Sequence, residues 1–229
     1  MRTALSREST YNETGTSPIA LARKTTTNLN PYIMEGVRLA IHVSQYIGTG
    51  ITPQRFMEGM TRNQDKFLGW YESFAWPSKE DREFFAGIRE GKTWQGGLRC
   101  LILMADWCGD VVRNVPVVFR AMKEAGVPVD VLILEEHLDL MDEHFLTMGG
   151  RSVPVVIFVD SSGDVIHRWG PRPAYVQEPM VEFKRTHPDK SSPDYESDLA
   201  ATRTEIMNRY GTGTGYQADI LREIREILS

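Results

Sequence analysis

Trp107-Cys108-Gly109-Asp110 is the stretch of this chain where residue type and spacing suggest chemistry. A cysteine that opens a helix meets unpaired backbone N–H groups and the positive end of the helix dipole, and both favour the thiolate. The thiolate is the form that attacks disulfides. A second thiol three residues further on would let such a site clear its own adducts, but Val111 stands there. The other cysteine, Cys100, lies upstream along an expected strand. At ~3.3 Å per residue the two Cα atoms are roughly 20 Å apart, whereas a disulfide needs them within about 7 Å. Cys100 therefore reads as an inert buried thiol. Cys108 keeps two readings: a nucleophilic or redox-responsive thiol, or a vestigial cysteine on a binding module.

Asp110 also keeps two readings. It can cap the helix start by accepting a backbone N–H. It can instead sit near Cys108 and oppose the thiolate by repulsion, with Asp106 adding to the effect and Arg113 or Arg151 compensating. Val153-Pro154, just before an apolar run, is suited to a cis turn beside Cys108. His137 and His144 lie on an acidic stretch without the closer helical spacing of a metal pair, so a solvated acidic helix is expected, with no metal and no cofactor. A Cys-His-Asp hydrolase using His167 as base has no supporting spacing. The glycines of "GTGTG" follow a helix and lack a following Lys-Ser/Thr, so they read as a linker and not a phosphate loop.

The elements that must hold these residues follow from periodicity. Thr52-Pro53 marks a helix start, as Asn30-Pro31 does earlier. Phe67, Leu68, Tyr71 and Phe74 fall at helical spacing, an apolar face for burial against the next domain. Ser78 with Asp81 forms a capping-box pattern ahead of Phe84, Phe85 and Ile88. Apolar runs predict strands over residues 98–104, 127–134, 155–159 and 165–169. The last two form a hairpin with Ser161-Ser162-Gly163 at its tip. Helices are expected over 109–126 and through "HLDLMDEHFLTM". "PAYVQEPMVEFKRTH" is expected to close the other face of the sheet, and two charged helices follow.

The whole chain bounds the function. Its 229 residues are 41% apolar and 25% charged, which suits a packed soluble core. The net charge of -5, without a basic stripe, argues against nucleic acid as partner. No apolar run approaches the roughly 18 residues of a membrane span. The first thirty residues lack an apolar signal core and read as a flexible arm. Two cysteines are too few for a secreted disulfide framework, so a cytoplasmic, reduced protein is expected.

Strand-helix-strand-helix-hairpin with Trp107-Cys108-Gly109 at the first strand-to-helix junction resembles the thioredoxin superfamily. Pro116 falls at the family's kinking proline, Val153-Pro154 at its cis dipeptide, and Gly163 and Gly170 at the glycines in and after the hairpin. More narrowly the chain is similar to bacterial thioredoxin-like proteins with W-C-G-D and a helical N-terminal extension. The resemblance implies an α/β thioredoxin-like fold, a mixed central sheet flanked by helices, with helical N- and C-terminal extensions: an arm at 1–30, a helical extension at 31–92, the core at 93–186 and a second extension at 187–229. It implies a site of Cys108 surrounded by Trp107, Gly109, Asp110, Val153 and Pro154, with a loop whose backbone meets a bound peptide. It also places the family's resolving cysteine at Val111, its inter-cysteine proline at Asp110 and its buried acid at Ile102. The function that follows is monothiol exchange or mixed-disulfide formation with a partner protein or a low-molecular-weight thiol or disulfide. The alternative is a non-catalytic interaction module. The oligomeric state is not legible in the sequence.

Overall fold

Four short apolar runs pair into one sheet: β1 (Arg99–Met104), β2 (Val129–Ile133), β3 (Val155–Val159) and β4 (Val165–Trp169), in the order β2-β1-β3-β4. The computed structural model describes residues 41–94 and 96–229. The expected arm and the Asn30-Pro31 helix start lie outside the described residues. Strand β1 pairs in parallel with β2 and antiparallel with β3, and β3 pairs antiparallel with β4. A parallel pair needs a crossover, and helix α4 (Gly109–Ala125) supplies it. The central strands are buried nearly throughout, as strands covered on both faces must be. The expected strand bounds are displaced by at most two residues.

Register decides where the chemistry sits. Leu103 near the end of β1 pairs with Val155 at the start of β3. The turn that leads to Cys108 and the loop that ends in Pro154 therefore emerge at the same end of the sheet. The β3–β4 hairpin turns at the opposite end. There Asp160 Oδ1 accepts the backbone N–H groups of Ser162, Gly163 and Asp164 at 2.9–3.0 Å, which fixes the tight turn. Gly163 has φ +96°, and a side chain there would meet the Ser44 backbone.

Helix α4 is the hub. It starts at Cys108, contains Pro116, and stops at Gly126 in the left-handed conformation. Helices α2 (Gln64–Glu72) and α3 (Lys79–Arg89) pack on it. Phe67 meets Phe119 at 5.8 Å, and Arg120 lies over the rings of Tyr71 and Phe74. The start signals are the expected ones. Thr52 accepts from Arg55 N–H ahead of Pro53 in α1 (Pro53–Gly59), and Ser78 accepts from Asp81 N–H ahead of α3.

Two elements depart from expectation. The acidic stretch is not one α-helix. A 3-10 turn, Leu134–Glu136, precedes the short α5 (Leu138–Leu140), which widens into a π-turn over Met141–Phe145. Leu140, Met141 and Phe145 are all buried, and the wider turn brings residues spaced by one and four to the core side. Further on, α6 (Ala174–Thr186) packs chiefly on α7 (Tyr195–Tyr210). The helix laid on α4, α3 and β4 is the last one, α8 (Gly215–Ile227), through Tyr216, Ile220, Leu221 and Ile224. The longer apolar stripe of α8 takes the place assigned in sequence to residues 173–187.

Candidate functional site

Cys108 is the residue just before α4, with extended backbone, φ -82° and ψ 123°. Its thiol is half-buried and donates to the carbonyl oxygen of Val153 at 3.2 Å. The Val153–Pro154 peptide bond is cis. The first strand-to-helix turn and the loop before β3 thus touch through one sulfur. Burial pushes the thiol up from its ordinary value, and the charge of Asp110 adds to this. The backbone N–H groups of Val111 and Asp110 and the charge of Arg172 pull the other way without overcoming it. The hydrogen bond to the Val153 carbonyl is one that only the protonated thiol can donate.

Asp110 does not cap the helix. Its carboxylate receives Arg172 at two points, Nε to Oδ1 at 2.9 Å and Nη2 to Oδ2 at 2.6 Å. The Tyr210 hydroxyl donates to the same Oδ1 at 2.9 Å. Asn114 in turn donates to the Tyr210 oxygen at 2.7 Å and to the Pro171 carbonyl at 2.9 Å. The Arg172 and Asp110 side chains are only 16% and 13% exposed, so this pair is sheltered, where a two-point contact is strong. Burial, and then the charge of Asp110, push the Tyr210 phenol well above its ordinary value, so it remains a donor.

The compensating cation is therefore Arg172. Arg113 lies over the rings of Trp70, Tyr210 and Tyr216, and Arg151 pairs with Asp142. Asp106 turns away from the thiol: its carboxylate accepts from the backbone of Thr61 and Arg62, which holds it below its ordinary range. A local signal for Arg172 exists in Gly170-Pro171-Arg172. Gly170 has φ +112°, and a side chain there would lie 2.3 Å from the Pro154 oxygen. Only glycine lets the strand end pass this close to the Pro154 loop, and that passage carries Arg172 to Asp110. Tyr210 left no local signal, because its partner is 100 residues away.

Trp107 is 47% exposed, and its indole N–H donates to Glu135 at 2.7 Å. It borders a cleft of about 620 Å³ with an apolar floor that includes Ile51, Phe56 and Met60 and with Arg55 and Arg62 on its walls. Gly109 opens α4, and a side chain would meet nothing there. Val111 and Ile102 are fully buried. Cys100 is free and buried in β1, where burial and then Asp130 raise its thiol far above the ordinary value. His167 faces Phe158 across the hairpin, away from the Val153 end of the sheet, so it cannot serve Cys108 as a base. His137 contacts the Ile133 carbonyl, whereas His144 pairs with Glu143. Among the described residues no cluster of three or more metal-binding side chains forms, and no helix is long and apolar enough to cross a membrane.

A thioredoxin family model matches residues 50–189, well over half of the chain. A search of curated proteins gives no match. Among solved structures, the chain is similar to an HIV epitope scaffold at 14% identity and TM-score 0.56, covering 82% of this chain and 97% of that one. It is also similar to a protein of unknown function from Pseudomonas aeruginosa at 16% identity and TM-score 0.55, covering 82% and 96%. At these identities the likeness to the solved structures is one of fold.

Proposed function

The chain belongs to the thioredoxin family, and from that premise we propose that it is a monothiol member that captures a partner sulfur as a mixed disulfide through Cys108. The observation that carries this reading is a lone thiol at the start of α4, in contact with the Val153 carbonyl, with the second cysteine locked inside β1. In the reaction, solvent takes the Cys108 proton. The thiolate then attacks a disulfide R–S–S–R′, forms Cys108–S–S–R and expels R′–S⁻. Release needs an outside thiol, because no thiol of the chain can reach the adduct.

The raised thiol shapes the kinetics. Thiolate is scarce near neutral pH, so attack on small probes is slow. Once formed, a thiolate of high basicity is a strong nucleophile and a poor leaving group, which makes the adduct persistent. Speed must then come from docking the partner beside the thiol. An extended peptide along the Val153-Pro154 loop, with a side chain in the cleft beside Trp107, fits that need. The partner is a protein or a low-molecular-weight disulfide.

A second reading is favoured by the same protonated thiol. A sulfur held by a carbonyl can be part of a non-catalytic interaction surface. The two separate on incubation of wild type and Cys108→Ser with an extended peptide disulfide, followed by intact-mass spectrometry. Monothiol capture predicts a peptide adduct on wild type only. Peptide binding without any adduct, from about pH 7 to about pH 9, would put the interaction module first.

A further inference from the structure

We propose that Arg172 is a positioning residue for Cys108: by clamping the Asp110 carboxylate at two points, it weakens the opposition of that charge to formation of the thiolate. This rests on Cys108 being the working group and adds a residue that lies outside the W-C-G-D stretch.

The geometry has three parts. Asp110 is two residues from the thiol and on the same first helical turn. Arg172 meets it in a sheltered pair, at 2.9 and 2.6 Å. Tyr210 closes the carboxylate from a different helix, and Gln177 accepts from the other arm of the guanidinium. The charged or titratable groups that face the thiol are thus Asp110 from its own helix, Arg172 from the loop after β4 and, behind the carboxylate, Tyr210 from α7. A negative charge beside a half-buried thiol disfavours its ionisation, and a cation paired with that charge offsets it. In a sheltered site the offset is larger than at the surface. The directions of influence on Cys108 agree: Asp110 raises the thiol and Arg172 lowers it. A single arginine placed by Gly170 against the Pro154 loop thereby links the cis-peptide loop, the thiol and the C-terminal helices.

The test is the rate of alkylation by iodoacetamide across pH, on full-length protein. It compares wild type, Arg172→Met, Arg172→Lys, Asp110→Asn and Asp110→Asn/Arg172→Met, with circular dichroism to verify folding. Arg172→Met should move the titration midpoint of Cys108 upward and slow labelling at mildly alkaline pH by about threefold or more. Arg172→Lys, which keeps the charge, should recover most of the rate. In the Asp110→Asn background the same Arg172→Met change should have little effect. An unchanged midpoint in folded Arg172→Met, or an equal displacement with and without Asp110, would overturn the proposal. If Arg172→Met fails to fold, Tyr210→Phe and Arg172→Lys carry the comparison. Tyr210→Phe removes one of the two donors to Asp110 Oδ1 and leaves that oxygen to Arg172 alone; it should raise the midpoint, and no change in that variant overturns the clamp. Alkylation reads the thiol whether or not it captures disulfides, so a failure here is distinct from failure of the capture reaction.

Discussion

Cys108 sits where backbone N–H groups favour the thiolate, yet burial and Asp110 leave the thiol raised. The sign of its pH response follows. Thiolate grows as pH rises through a midpoint above that of an unfolded cysteine peptide, so alkylation at neutral pH should be slower on the protein than on the peptide. A pH–rate profile of both checks this, and a midpoint on the protein below the peptide's would remove the argument from burial. Val111→Cys places a thiol one helical turn from Cys108 and should shorten the life of any adduct. It trims a fully buried side chain, so about 1 kcal/mol of stability should be lost. Sequence made the lone cysteine and the missing resolver legible, because both depend on local spacing. The burial that raises the thiol was not legible, nor was the choice of Arg172 over Arg113 and Arg151. Those depend on which loops the fold brings to one point, and one-dimensional spacing does not carry that.

Among the elements, α8 does more than its position at the end of the chain suggests. Arg225 pairs with the buried Asp81 at the start of α3, at 3.0 Å. Glu223 accepts from the Trp169 indole and from Ala174 N–H, at 2.7 and 2.8 Å, which ties α8 to β4 and to the start of α6. Leu221→Ala should cost about 2–5 kcal/mol by the methylenes removed and the cavity left, read by urea unfolding. Glu223 gives a pH signature. Burial pushes its carboxyl above the ordinary 4.5, so the folded state binds this proton more tightly than the unfolded one. That stabilisation is present below the ordinary value and is lost as pH rises through the folded one. Wild type relative to Glu223→Gln should therefore be less stable at neutral pH than in acid. A stability difference flat in pH would show that the charge is not penalised. The strands were readable because buried strands are apolar runs bounded by turn residues. The roles of α6 and α8 were not, since both are amphipathic and only packing decides which one reaches the sheet.

On the scale of the molecule, the family match over residues 50–189 does not coincide with what holds α4 in place. The hub helix is packed against α2, α3 and α8, and α8 lies beyond the matched residues. A fragment limited to 50–189 would leave in water the α4 surface that α8 covers. At ~25 cal/mol per Å² of apolar area this is a large loss for a marginally stable fold. Such a fragment, like one lacking residues 1–90, should bind a hydrophobic dye and unfold without a cooperative transition. Cooperative melting of either fragment would show the flanking helices to be independent of the core.

Monothiol capture through Cys108 requires that the site, once it holds a sulfur, cannot release it unaided. It is tested most directly by forming the Cys108 adduct with a peptide disulfide, removing free probe and following the intact mass with time. Wild type should hold the adduct until a low-molecular-weight thiol is added and then lose it, while Val111→Cys should lose it without any addition. Spontaneous release from wild type, or no adduct on wild type at all, would rule out monothiol capture.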